Sequence, residues 1–540
     1  MAVCMNHRQG INLRATLIAA NYVLGPRSSF SGDNMRKLRC QLWKYSFAGA
    51  IFLLAVGTEL VSAQTARAIL PVTPESGSVL MGKAIRNGSV QLPPSLSIPG
   101  IEQNLTCTPA PCVLPNVQAS GGVNIANEDP IAVNPKNSLQ LLTGANDYNC
   151  PNYQGFYSSN DGGSTWTRTC LTTIAGGSGL GDPMVGYDRL GNTFAGGIQS
   201  GSPGQVIVVA RSNNNGAQWS TPVVAATPTF SGGSTDKGWL EIDTNPTSPH
   251  VNCLYVSNTQ FDSTGFNSQI SVSHSCTHGK SWSTVAVDPK QLYPAHVDQF
   301  SDLALGKDGT VYVSWMRCPA TGPTGDCGGT TAKMLTSKST DGGVTWSAAV
   351  TVTNAALAPD SCGAFYGCLP NTFERVSDIP VIAVDNSTGA NTGHLYVVYY
   401  NWTGSQMKVN VTHSADGGTT WSAGVPVAPA TATHDQFFPW LNVSSAGTVG
   451  VSWMDRRNDP NNVNYDEFVT FSANGGTSFG VNAKITSVMS NPFNDGFSGG
   501  FMGDYSGDAW AGPTFYASWM DSRDGSFMQD EVGGVLRKAP

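Results

Sequence analysis

Ser159-Asn160-Asp161-Gly162-Gly163-Ser164-Thr165-Trp166 decides the fold, because it returns along the chain. Clean copies are Ser339-Thr340-Asp341-Gly342-Gly343-Val344-Thr345-Trp346 and Ser414-Ala415-Asp416-Gly417-Gly418-Thr419-Thr420-Trp421. Weaker copies lie at 212–219, with Asn214 in the acidic place, at 275–282, with Thr277, and at 472–479, with Asn474 and a final Phe479. Successive first serines are 53, 63, 64, 75 and 58 residues apart. A period of roughly 50 residues suits a four-stranded antiparallel unit with variable loops. Within each copy, the Asp or Asn is expected to accept backbone N–H groups two residues on and close a tight turn. Gly supplies positive φ, and Trp buries an apolar face under the hairpin. The repeated acid is therefore read as a structural staple and not as a catalyst.

A second repeat precedes the boxes. Short strands begin near an acid or proline: Asp129-Pro130-Ile131-Ala132-Val133, Asp182-Pro183-Met184-Val185, Asp236-Lys237-Gly238-Trp239-Leu240 and Asp378-Ile379-Pro380-Val381, with further copies from Asp298, Asp435 and Asp504. Further strands follow, as in Val311-Tyr312-Val313-Ser314-Trp315 and Phe515-Tyr516-Ala517-Ser518-Trp519. Seven such starts stand against six boxes. The expected fold is all-β: a β-propeller of seven four-stranded blades, with six as the alternative count. The last unit begins near 503 and runs out near 536 without a box, so an N-terminal strand near Val123-Asn124-Ile125 is expected to complete it. Closure removes an exposed sheet edge.

The propeller spans 121–540, behind an extended Pro- and Ser-rich arm at 64–120 and a leader at 1–63. In the leader, Met35-Arg36-Lys37-Leu38-Arg39 precedes an apolar run at 47–56 and small residues at Val61-Ser62-Ala63. That is the layout of a cleaved export signal, with Met35 as an alternative start. The apolar run is too short to span a bilayer comfortably. Ten cysteines follow in neighbouring pairs, Cys107/Cys112, Cys150/Cys170, Cys253/Cys276, Cys318/Cys327 and Cys362/Cys368. In an exported chain these imply disulfides, and local pairing is the simplest connectivity. A secreted or periplasmic protein, monomeric and without a stable membrane span, is expected. Charged residues make up 12% and the net charge is −8. No basic run lies in the body of the chain, which excludes a nucleic-acid partner.

The boxes resemble those of the sialidase-like superfamily over roughly residues 121–540. That resemblance implies a secreted glycoside hydrolase acting on terminal acidic sugars with retention, its substrate a glycan or glycoconjugate. Sialidases hold the substrate carboxylate with three arginines, use a Tyr–Glu nucleophile pair and an Asp acid/base. The tyrosine nucleophile is an exception among glycosidases, and the arginines follow from bidentate recognition of a carboxylate. The matching candidates are Arg375, Arg456 and Arg523, with Arg317 and Arg457 in reserve. Asp378, Asp435 and Asp129 are the candidate acids, and Tyr505 with Glu374 the nucleophile pair.

The chain also departs from that family. No Phe/Tyr-Arg-Ile-Pro motif precedes the first box, and sialidases have six blades. The alternative is a non-catalytic propeller that binds glycan or protein through its channel face. On that reading Asp455 with Arg456, and Asp521 with Arg523, form structural salt bridges, and the acids at strand starts cap turns. His296 and His434, before the related Asp298-Gln299-Phe300 and Asp435-Gln436-Phe437 phrases, are read as repeat echoes. No cofactor is required, although a ring of carboxylates would also suit Ca²⁺.

Overall fold

The computed structural model describes residues 70–94, 111–121, 124–202 and 204–537. The leader with its export signal and alternative start, Cys107 and Val123 lie outside these residues. The chain is built of antiparallel meanders. Four strands, for instance Val297–Leu305, Val311–Cys318, Thr331–Ser339 and Val350–Ala356, pair in sequence order. One eight-stranded sheet is two such units joined by a single parallel pairing, Gln205 with Ser234. Among the described residues seven meanders result, with first strands Ile131–Val133, Ser178–Tyr187, Ser234–Ile242, Val297–Leu305, Val381–Val384, Gln436–Val443 and Gly507–Ala511. Each first strand packs against the next. The last, Gly507–Ala511, packs against Ile131–Val133.

Burial follows position in the meander. Val297–Leu305 is buried at every residue, whereas the fourth strand Thr167–Cys170 has no buried residue. First strands are covered on both faces by neighbouring meanders, so even their polar residues, such as Asp298, Gln299 and Asp302, are buried. The core is thus a set of inter-meander layers. Trp315, Trp453 and Trp519, equivalent residues of second strands, lie fully buried in it.

Each box joins third and fourth strands, as at Gly155–Ser159 and Thr167–Cys170. Its chemistry differs in one detail from expectation. Asp341 Oδ1 accepts the N–H groups of Val344 and Thr345, three and four residues on, and Oδ2 accepts the Thr345 hydroxyl. The serine does the remaining work: Ser339 Oγ accepts the Gly343 N–H at 2.8 Å. Gly342 and Gly343 lie at φ 73° and 90°, which a side chain would strain. The box tryptophans are half-buried and reach the preceding meander. Trp219 packs edge-on to Phe156 and donates to Thr169 Oγ1 at 2.9 Å.

Two expectations need correction. The N-terminal segment completes the last sheet through Cys112–Val113 and Val117–Gln118, both paired to Gln529–Leu536, whereas Asn124 and Ile125 lie in no strand. The residues that follow, Ala126–Asn127, pair with Leu141–Asp147 in the first meander, and the Ala126 N–H also donates to Met528 O. The described part of the arm is not merely extended either, since Gly77–Arg86 is an α-helix. Disulfides join Cys150–Cys170, Cys253–Cys276, Cys318–Cys327 and Cys362–Cys368. Among the described residues no helix is long and apolar enough to cross a membrane.

Candidate functional site

Four first strands carry the same irregularity. Pairing to the second strand breaks at Asp182-Pro183, Lys237-Gly238, Phe300-Ser301 and Phe438-Pro439. In each bulge the first residue sits at positive φ: Asp182 53°, Lys237 45°, Phe300 61° and Phe438 44°. Glu128, before the first strand of the first meander, does the same at 64°. Bulges re-aim side chains, and non-glycine residues at positive φ persist where surrounding structure imposes them. The result is a group of side chains from different meanders meeting at the strand starts.

That group is acidic, with cations set among the acids. Glu128, Asp182, Asp236 and Asp504 are fully buried. Glu128 accepts the Asp504 N–H and the Asn146 amide, and Asn146 in turn accepts the Asp182 N–H. Arg375 Nε lies 2.9 Å from Asp504 Oδ1. Lys237 Nζ lies 4.0 Å from the Tyr505 ring centroid and 4.7 Å from that of Trp239, and finds no hydrogen-bond acceptor among the described residues. Burial raises Glu128 well above the usual carboxylate range, helped by Asp182 and Asp504. Burial and the charge of Asp182 push Asp236 up to about 7. Burial pulls Lys237 down, while Asp182 and Glu128 oppose it.

The arm closes over this cluster. Ser76 donates its N–H and hydroxyl to the two oxygens of Asp236, at 2.7 and 2.9 Å. Gly77 N–H donates to Asp504 Oδ2 at 2.7 Å, and the Ser78 hydroxyl donates to Asp182. In the other direction Pro74 O accepts from Gln299 Nε2 at 3.0 Å and from the Tyr366 hydroxyl at 2.8 Å. Glu75 O accepts from Arg375. The first N–H groups of a helix lack partners within it and carry partial positive charge, so carboxylates are their natural acceptors.

The sequence candidates are distributed unevenly around this point. Arg375 belongs to the cluster. Tyr505 belongs too, packed edge-on to Trp239 with its hydroxyl donated to Pro183 O. The carboxylates acting on Tyr505 are Glu128, Asp182, Asp504 and Asp129. Glu374 is held elsewhere, accepting the Met502 N–H beside Asp495, and burial raises it well above its ordinary range. Arg456 is fully buried, 3.6 Å from Asp435 and donating to Pro370 O. Burial lowers it to about 10. Asp435 also accepts the Met407 N–H and the Asn462 amide. Asp378 accepts the Tyr400 N–H and is raised well above its usual range by burial. Asp129 is buried and raised by burial, Asp530 and Glu128. Arg523 pairs with Asp521 two residues away and with Glu531. Of the reserves, Arg457 pairs with Asp455 and Arg317 with Asp298 and Asp288. The arginines therefore do not converge; each takes its own carboxylate.

Glu128, Gln299 and Tyr366 were not singled out from sequence. Lys237 is one residue of a strand start, and Ser76-Gly77-Ser78 lie inside the arm. A serine ahead of a helix-forming run at 77–86 was the available signal. Among the described residues, no group of three or more His, Cys, Asp or Glu is arranged to hold a metal ion.

No protein-family model matches the sequence, and no curated protein matches it. Solved structures do resemble the chain. A polysaccharide lyase described as an ulvan lyase is 12% identical, with 77% of this chain and 94% of that one covered and a TM-score of 0.48. The intramolecular trans-sialidase of Ruminococcus gnavus is 12% identical, over 63% of this chain and 92% of that one, with a TM-score of 0.42. An α-L-arabinofuranosidase of Fusarium graminearum is 13% identical, over 66% and 92%, with a TM-score of 0.41.

Proposed function

We propose that the chain is a seven-bladed β-propeller of the sialidase-like type, closed by its N-terminal strand, and that it is a secreted glycosidase working through the carboxylate cluster at the strand starts. The observation that carries this reading is the meeting of Asp182, Asp236 and Asp504, from three meanders, on three consecutive residues of the arm. Glycosidic cleavage needs one carboxylic acid protonated at neutral pH and one carboxylate ionised nearby. Asp236, pushed up to about 7, suits the acid that protonates the leaving oxygen. Asp504, ion-paired with Arg375, suits the carboxylate that faces the developing positive charge of the sugar ring. Trp239, Tyr505 and Tyr366 supply the aromatic surface on which a sugar face packs. The disulfides support an oxidising, extracytoplasmic setting.

Cleavage of sialosides in particular has weaker support. Arg375 is the single arginine that enters the cluster, and a three-arginine clamp would need Arg456 and Arg523 freed from Asp435 and Asp521. The substrate class argued here is wider: terminal sugars, with an acidic substituent accepted at Arg375. Turnover of fluorogenic neutral, uronic and sialic glycosides tests the reading. Because the arm covers the cluster, the assay is run on the chain as it stands and on Ser76→Ala/Ser78→Ala. Hydrolysis lost in Asp236→Asn is the expected result. Glycan binding without hydrolysis of any glycoside by either form would replace the enzyme with the binding propeller.

A further inference from the structure

Residues 70–94 take part in none of the seven meanders. Among the described residues every strand lies between 112 and 536, and the helix pairs with none of the sheets. Yet its tip is fitted closely to the cluster. Ser76 stands at the helix N-cap, but its hydroxyl makes no capping bond and goes to Asp236 instead. A Cβ on Gly77 would lie 2.1 Å from the Phe501 ring, so the backbone there approaches as closely as glycine allows. Behind the tip, Val79 shares a packed cluster with Leu180 and Met184, and Arg86 donates to Gly179 O. The docking combines polar contacts at the tip with apolar contacts along the helix.

The polar atoms at the tip are those a sugar would offer. Hydroxyls of Ser76 and Ser78 donate to Asp236 and Asp182, as the hydroxyls of a bound sugar would. Carbonyl oxygens of Pro74 and Glu75 accept from Gln299, Tyr366 and Arg375, donors that would equally receive a ring oxygen or a sugar carboxylate. We propose that residues 70–94 are a displaceable plug that occupies the substrate's place, holding the chain latent until the arm is released. The plug also outlines its replacement: a saccharide with hydroxyl donors toward Asp182 and Asp236 and a carboxylate or ether acceptor toward Arg375 and Gln299. The inference rests on the glycosidase reading for the identity of the ligand, but not for the plug itself.

The test uses the full chain. Ser76→Asp/Ser78→Asp sets like charges against Asp236 and Asp182. Carbodiimide-driven labelling of Asp182, Asp236 and Asp504, read by mass spectrometry, is expected to rise at least tenfold, and glycoside turnover with it. A synthetic peptide of residues 70–94 added in trans is expected to reverse both. Labelling equal to wild type in the folded variant overturns the plug. Should the variant fail to fold, hydrogen exchange in the wild type decides. Amides of Gly77–Arg86 exchanging at least a hundredfold faster than those of Leu254–Phe261 support an arm that opens on its own. Exchange of both segments with the same protection overturns it. Labelling that rises without hydrolysis of any glycoside keeps the plug and removes the glycosidase.

Discussion

Ser76 meets Asp236 with two donors at once: its N–H and its hydroxyl reach the two carboxylate oxygens across 160 residues of chain. A carboxamide in place of Asp236 keeps one acceptor and puts an amide donor where the other stood. Leaving a buried donor without its acceptor costs about 1–3 kcal/mol. In Asp236→Asn, exchange of the Gly77–Arg86 amides should therefore accelerate by about ten- to a hundredfold, while the strand Leu254–Phe261 keeps its protection. Unchanged exchange in the helix would mean that the apolar side of the arm alone holds it.

Arg456 and Arg523 look alike in sequence, one and two residues after the acid that ends a second strand, but their surroundings separate them. Arg456 is sealed beside Asp435 with its guanidinium 5.3 Å from the Phe437 ring centroid. Removing it leaves Asp435 and Glu374 buried without a cation, a loss of about 3–5 kcal/mol. Arg523 keeps 23% of its side chain exposed, so water reaches its pairs with the buried Asp521 and Glu531 and can partly take its place when it is removed. Thermal melts should place Arg456→Ala further below wild type than Arg523→Ala. Equal melting temperatures would contradict this assignment.

How much of this was legible in the sequence depended on the range of the interaction. The boxes, the alternation of strands and the cysteine pairs are local patterns, and the meanders and disulfides follow them. The acids at strand starts are local too, and Asp182, Asp236 and Asp504 do share one point. Partners brought together from different meanders carry no such pattern. Nothing in Pro74-Glu75-Ser76-Gly77-Ser78 announces Asp236, Gln299 or Arg375. The bulge that aims Lys237 is equally hidden, because its positive φ falls on a residue with no intrinsic preference for it. The closing strand, expected near Val123-Asn124-Ile125, lies instead at 112–118 because both stretches suit an extended conformation and only tertiary pairing distinguishes them.

The box acid is a turn staple, so its loss should lower stability and leave the carboxylate cluster untouched. Asp161 accepts the Thr165 N–H and hydroxyl and the Ser159 hydroxyl. Those bonds outweigh its partial burial and hold it below the usual carboxylate range. Asp161→Ala should lower the melting temperature by about 2 °C and leave carbodiimide labelling of Asp182, Asp236 and Asp504 as in wild type. A change in that labelling would mean that the two ends of the meander are coupled.

Stability should be greater at mildly acid than at alkaline pH. Burial raises Asp530 to about 8 and Asp302 to about 7, against about 4 in an unfolded chain. Between those values the folded state holds protons that the unfolded state has released, so the unfolding free energy falls as pH rises. The contribution is complete below about pH 4 and lost as pH passes through 7 and 8. Exposed carboxylates held low by their turns, such as Asp341 and Asp416, act in the opposite sense but at lower pH. The melting temperature should accordingly rise by several degrees from pH 8.5 to pH 5. Asp530→Asn keeps an acceptor for the Thr143 hydroxyl, which donates at 2.7 Å, and removes the titration. It should raise the melting temperature at pH 8.5 and flatten its dependence on pH. A slope identical to wild type would show that Asp530 is not the group whose ionisation opposes the fold.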